Sequence, residues 1–294
     1  MEVLDATRGG VEHARSLYFA GNYGEALRAA EVLISSCDLA EQVGGLLLKA
    51  CIQSEHEQFS ECLDTLKVAG PLIDHAPAKS RAAFHGQRAF ARVKVGRKKD
   101  ALIDYEAARV YAQESGDQLA EGTVRNNLAG IYSQLGRFDD AITESDNAIL
   151  MFRKLNEHIY LGRAYDQRAQ ILNNQGLYSE AITWSEKALG ILGKHPAAAE
   201  ARMTHGSALI GLGESYLDHP DPVENFRVRR SMVNMINLSL GPDVVQLALD
   251  RCEGNVLRAS VLLNVKHQSL QGAVNRFKLK AHQNRIVRRS IIKK

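Results

Sequence analysis

The chain has few of the residues that cross-link or interrupt a fold: four cysteines and six prolines in 294 residues. The cysteines (Cys37, Cys51, Cys62 and Cys252) form no CxxC pair and no regular framework, which argues against a disulfide scaffold or a thiolate metal site. They are expected to be buried, reduced thiols of a cytosolic protein. Long apolar runs are missing too. A stretch such as GGLLLKACI at 44–52 is far too short to span a bilayer. The opening MEVLDATRGG has neither a basic n-region nor an apolar h-region, so no secretory leader and no membrane partner are expected. Catalytic signatures are equally scarce. None of the ten histidines is spaced HxxxH, and GLGES at 211–215 lacks the Lys-Ser/Thr of a phosphate loop and the second glycine of a nucleophile elbow. Asp139-Asp140 falls at a helix start, where negative charge is simply favourable. No catalytic residue, metal or cofactor is expected.

The last absence is local. Residues 254–294 contain no Asp or Glu but ten Lys and Arg, leaving 27 basic against 34 acidic residues in 1–253. The overall charge of +3 therefore hides an acidic body joined to a basic end. That division suggests two tasks, with polyanion binding given to the second. The plainer alternative is a solvated basic tail.

What the body does contain is a repeat. QRAFARVKVGRKKDALIDYEAA from Gln87, NLAGIYSQLGRFDDAITESDNA from Asn127 and QRAQILNNQGLYSEAITWSEKA from Gln167 each begin 40 residues after the last. Gly96, Gly136 and Gly176 coincide, as do Ala89/Ala129/Ala169, Ala101/Ala141/Ala181 and Ala108/Ala148/Ala188. Fainter copies, GNYGEAL at 21–27 and EQFSECL at 57–63, precede them. The pattern predicts antiparallel helix pairs. The glycine ends the first helix in a left-handed conformation. An aromatic two residues on (Tyr23, Phe59, Phe138, Tyr178) fills the gap between helices, and the alanines allow close crossing. Leu128, Ile131, Tyr132 and Leu135 carry the helical apolar spacing.

These residues resemble the tetratricopeptide repeat, with its small–Gly-x-aromatic-x-x-Ala order, over about 11–212 and most specifically over 82–190. The step of 40, against a usual 34, implies longer helices or connections. The resemblance implies an all-α, right-handed α-solenoid of about five helix pairs with a concave groove, a binding surface. Gln87, Asn127 and Gln167 share one first-helix position, with Asn126 and Asp166 beside two of them. In that family such amides often bind a guest peptide's backbone, since each offers a donor and an acceptor. Solvation of the inner face is the alternative. The Lys/Asn/Arg carboxylate clamp of the co-chaperone form is not recognisable.

Past Leu212 the register lapses. GLGESYLDHPDPVENF at 211–226 reads as a connection or irregular cap. RVRRSMVNMINLSLG at 227–241 predicts a short helix with Met232, Met235 and Ile236 on one face, a cap or a self-pairing surface. Gly241-Pro242 marks a break, with Asp243 as the expected N-cap. Beyond it lie three short helical patterns, lined by Val244, Leu247, Ala248 and Cys252, by Val256, Ala259, Leu262 and Leu263, and by Leu270, Val274 and Phe277. Glu253-Gly254 stops the first. Two short helices, a tight turn and a third helix with a basic face make a helix-turn-helix.

The order GN-x-x-x-A-x-x-LL-x-V-x-x-x-x-L-x-x-x-V-x-x-F, over about 243–280, resembles the Fis-type helix-turn-helix found at the C-terminus of many bacterial enhancer-binding regulators. The resemblance implies a third helix in the DNA major groove and a homodimer. Lys266, His267, Ser269 and Gln271 then face DNA, with Asn275, Arg276 and Lys278 nearer the backbone. Two departures stand out. Asn264 replaces the usual turn glycine, and Gly272 occupies an often basic position at a cost of about 1 kcal/mol against Ala. His267 and Gln271 discriminate bases less sharply than Arg.

The sequence is thus read as a solenoid over 1–212, a linker or capping helix over 213–241, a Fis-like reader over 242–280 and a flexible basic tail over 281–294 that adds phosphate contacts. The expected function is a cytoplasmic, nucleoid-associated transcriptional regulator with a protein or peptide partner and duplex DNA. The alternative is a scaffold whose basic end docks on protein, RNA or membrane.

Overall fold

The repeat's alanines and glycines fix how its helices meet, and a computed structural model of the chain shows where. It describes residues 2–217 and 242–252, together with 254, 256, 259, 260, 270, 271, 274 and 275. The regular elements are helices: α1 (Glu2–Phe19), α2 (Tyr23–Ile34), α3 (Leu39–Glu55), α4 (Phe59–Ile73), α5 (Ala78–Lys94), α6 (Lys98–Ser115), α7 (Gln118–Gln134), α8 (Phe138–Leu155), α9 (His158–Asn174), α10 (Tyr178–Leu192), α11 (Ala198–Leu217) and α12 (Pro242–Arg251). Their contacts divide the chain into two units, Met1–Asn156 and Glu157–Lys294. The first holds the pairs α1–α2, α3–α4, α5–α6 and α7–α8. The second holds α9–α10, α11 and α12.

The turn inside each pair is the one the sequence anticipates. Gly96, Gly136 and Gly176 are left-handed, at φ 82°, 76° and 80°. In each case the next residue's N–H reaches back five residues: Arg97 to the Arg92 carbonyl, Arg137 to Tyr132 and Leu177 to Leu172, all at 2.8–2.9 Å. This closes carbonyls that a helix end leaves open. In α3–α4 the same turn is made without glycine. Glu57 takes φ 58°, and Gln58 N–H still reaches the Gln53 carbonyl at 2.8 Å.

The nine register alanines are all fully buried. Each puts only a methyl group where the helices cross. Two glycines of the same register go further. A Cβ on Gly122 would lie 2.8 Å from a ring carbon of Phe152, and one on Gly162 would lie 2.6 Å from Leu192 Cγ. There the first helix of a pair gives way to a large side chain at the end of the second.

In the second unit one apolar core joins the repeat to the C-terminal segment. Leu172, Ile182, Leu209 and Ile210 share it with Val245, Ala248 and Leu249 of α12 and with Ala259, Leu270 and Val274. Three local expectations are corrected here. GLGES is helical, because α11 runs on to Leu217. Gly211 is small because the Tyr178 ring lies against it, rather than because the helix stops there. Helix α12 starts at Pro242, a residue preorganised for a first helical position, so Asp243 lies inside the helix. Its buried face carries Val245 and Leu249 with Ala248. The run VVQLAL is apolar on most of its circumference, so periodicity alone could not orient it. As anticipated, α12 stops before Gly254, which is left-handed (φ 74°) and closes the helix with its N–H on the Leu249 carbonyl at 2.7 Å. The cysteines are free, but Cys37 is exposed in the α2–α3 connection rather than buried.

Candidate binding site on the first helices

Side chains at one register position can be compared directly, because neighbouring copies share a backbone. Position 87/127/167 does not behave as one ladder. The Gln87 amide is committed inside the first unit: its Nε2 donates to Ser54 Oγ at 2.6 Å, and its Oε1 faces Cys51 Sγ at 3.7 Å. It ties α5 to α3. Asn127 on α7 and Gln167 on α9 are half-buried and make no hydrogen bond among the described residues. The neighbouring position is more telling. Asn126 Oδ1 and Asp166 Oδ1 are both buried and both lack a hydrogen-bond partner. Buried acceptors are seldom left so.

Sequence reasoning missed a second set, which the same 40-residue register would have exposed. Positions 85/125/165 on the first helices meet 104/144/184 on the second. His85 Nδ1 lies 3.3 Å from Asp104 Oδ1, Arg125 Nη1 donates to Glu144 at 2.7 Å, and Tyr165 packs edge-on against Trp184 with centroids 5.3 Å apart. One contact is thus filled with three chemistries.

Asp104 is the centre of the first. It is 1% exposed, and Arg88 Nη2 and Arg92 Nη1 each donate to it at 2.6 Å. Burial alone pushes this carboxyl upward. Hydrogen bonds from His85 and Arg88 and the charges of Arg88 and Arg92 outweigh it, holding the group below the usual carboxylate range. The carboxylate is matched within the cluster, although Arg92 Nε stays buried without a partner.

Asp166 is its opposite. At 5% exposed it has an amide for company: Gln170 Nε2 donates to Oδ2 at 2.9 Å. The Thr204 hydroxyl proton goes to the Glu200 carbonyl at 3.2 Å. Burial pushes the Asp166 carboxyl up to about 6, the polar side chains of Thr204 and Gln170 hold the rise in check, and the Glu200 charge adds to it. Below it on α9, Asn173 Nδ2 donates to Ser207 Oγ of α11 at 3.1 Å while its own Oδ1 stays buried and unpartnered.

Of the residues expected to face DNA, Lys266, His267, Ser269, Arg276 and Lys278 lie outside the described residues. Gln271 and Asn275 are helical, and Gln271 Nε2 donates to Asn275 Oδ1 at 3.2 Å. Met232, Met235 and Ile236 also lie outside them. Among the described residues no group of three or more His, Cys, Asp or Glu could hold a metal, and no helix is long and apolar enough to cross a membrane.

Residues 121–194 match the family model of the tetratricopeptide repeat. No curated protein matches the chain. Among solved structures it is similar to a signal transduction ATPase with numerous domains (STAND) carrying a tetratricopeptide repeat sensor, from Pyrococcus horikoshii. The identity is 17% and the TM-score 0.63, covering 94% of this chain and 43% of that one. The chain therefore spans less than half the length of that relative. It is similar to NprR in complex with its cognate peptide NprX, at 14% identity and a TM-score of 0.59, over 94% of this chain and 78% of that one. A Rap protein complexed with Competence and Sporulation Factor gives 15% and 0.57, over 85% and 74%. At these identities the likeness defines the fold, a stack of tetratricopeptide-type helix pairs.

Proposed function

We propose that the helix pairs bind a peptide, or an extended segment of a partner protein, along their first helices. The observation that carries this reading is that each unit, taken by itself, holds a buried, unpartnered acceptor at this register position: Asn126 Oδ1 in the first and Asp166 Oδ1 in the second. The half-buried amides of Asn127 and Gln167 lie beside them. An extended peptide backbone presents donors that such oxygens can accept. The cognate peptide NprX bound to NprR supports the ligand class, since that protein shares the fold. Enrichment of peptides from a random synthetic pool by the full-length chain, weakened severalfold by Asn126→Ala with Asn127→Ala, is the expected result. Undiminished enrichment by that variant sinks the reading.

The second half of the proposal is that the C-terminal module contacts duplex DNA and makes the protein a regulator. The acid-free run 254–294 favours it. So do the left-handed Gly254 and the burial of Ala259, Leu270 and Val274, at positions where the helix-turn-helix resemblance places core. Val245, Ala248 and Leu249 are shared with the repeat core, so deleting the module would strip that core. Charge reversal in the full-length chain is the cleaner test. Arg276→Glu with Lys278→Glu should abolish duplex binding, and binding by the unaltered chain should fall steeply with salt. Salt-insensitive binding, or none at low salt, assigns the protein to the scaffold class instead.

A further inference from the structure

Asp166 lies in the second unit in a stripe made by two helices. Asp166, Gln170 and Asn173 are spaced i, i+4, i+7 on α9, and Glu200, Thr204 and Ser207 carry the same spacing on α11. The Asn173–Ser207 hydrogen bond joins the two rows. Three donors in this stripe are spent: Gln170 Nε2 on Asp166, Asn173 Nδ2 on Ser207, and the Thr204 hydroxyl on a backbone carbonyl. Two buried acceptors are left over. Oδ1 of Asp166 and Oδ1 of Asn173 are buried without partners, and the exposed Glu200 adds a second carboxylate. Among the described residues neither Asp166 nor Glu200 has an ion pair. The first unit shows what this fold does when a buried aspartate needs balance, for Arg88 and Arg92 close on Asp104.

We infer that the Asp166–Glu200 stripe between α9 and α11 is the subsite for a cationic group, an ammonium or a guanidinium, on the bound peptide. This rests on the peptide-binding reading above. Two carboxylates, spare acceptor oxygens and no cation select a positive donor and repel an anionic one. Gln170 is the side chain the guest displaces: its amide covers Asp166, and a charged donor replaces that neutral hydrogen bond with a stronger one. Glu200, on the exposed side, draws the cation in. Arginine or lysine side chains and a free peptide amino terminus share this chemistry.

The test uses the full-length chain and matched pools of random hexapeptides. One pool carries Lys and Arg, and a second replaces them with norleucine and citrulline. Each pool is prepared with free and with acetylated amino termini. A pool that carries a cation should bind about tenfold or more tightly than the acetylated neutral pool, which carries none. A margin shown by the free-amino neutral pool assigns the cation to the amino terminus, and one shown by the acetylated cationic pool assigns it to a side chain. Asp166→Asn keeps the shape of the site and should reduce the margin to about twofold. Glu200→Gln alters only an exposed charge and should lower the margin without touching the fold. A tenfold margin that persists when Asp166→Asn and Glu200→Gln are combined overturns the subsite, as does binding of the acetylated neutral pool by the unaltered chain as tight as that of the cation-bearing pools. If no pool is enriched at all, the peptide-binding reading itself fails and takes the subsite with it.

Discussion

Two buried aspartates, one in each unit, have been treated in opposite ways. Asp104 and Asp166 are almost equally hidden from water, at 1% and 5% exposed. Asp104 is closed in by two arginines and a histidine, and its acidity is strengthened. Asp166 has an amide and a neighbouring carboxylate, and its acidity is weakened to about 6. Burial raises both carboxyls, and only at Asp104 do the partners outweigh it. A carboxylate matched by cations within its own helix pair is part of the scaffold. One left unmatched in a repeat of the same geometry costs stability, and such costs concentrate where ligands bind.

The contrast breaks most forcefully at Asp104. Asp104→Ala leaves Arg88 and Arg92 facing a carboxyl-free pocket, and the loss should be about 3 kcal/mol in chemical denaturation at neutral pH. A change under about 1 kcal/mol means the arginines find other partners and the cluster is not structural. The wild-type contribution also has a pH window. Because the folded state holds this proton more weakly than the unfolded chain, the stabilisation is complete above the ordinary carboxylate range. It disappears as pH falls through the lower folded value.

Asp166→Asn should act in the other direction. The folded state binds the proton more tightly than the unfolded chain, from an ordinary 3.8 to about 6. Wild-type stability therefore declines as pH rises through that interval and is lowest above it. Removing the charge should raise stability at pH 7.5 by up to about 3 kcal/mol and flatten this slope. A destabilised variant with an unchanged slope means the group titrates normally.

The smallest effect sharpens the contrast. Gln170→Lys places a cation next to Asp166 and makes it resemble Asp104. Stability at neutral pH should rise by about 1 kcal/mol, and the Asp166 carboxyl resonance should titrate well below 6 in an NMR pH series. An unshifted titration means that position 170 does not govern this carboxyl.

Much of the fold was legible in the residues alone. The glycine turns at 96, 136 and 176 and the nine buried alanines come from residue types that only certain backbone geometries and crossing distances require. The turn at Glu57 was legible only through its neighbours, since glutamate does not announce a left-handed residue. The site was less legible. Gln87, Asn127 and Gln167 align in sequence, yet Gln87 is spent on Ser54 because small side chains on α3 bring its amide within reach. Aligned positions share a backbone, but their partners come from a different helix in each copy.

The sequence by itself determined the repeat, its turns, its close helix crossings and the basic, acid-free end, because these rest on local conformation, side-chain size and charge count. Only the tertiary structure decided which aspartate is neutralised and which is left wanting. It alone showed that α11 continues through GLGES and that α12 shares the repeat's last core. Those outcomes depend on which side chains distant segments bring together, and a carboxyl's proton affinity is set by that company rather than by its own place in the chain.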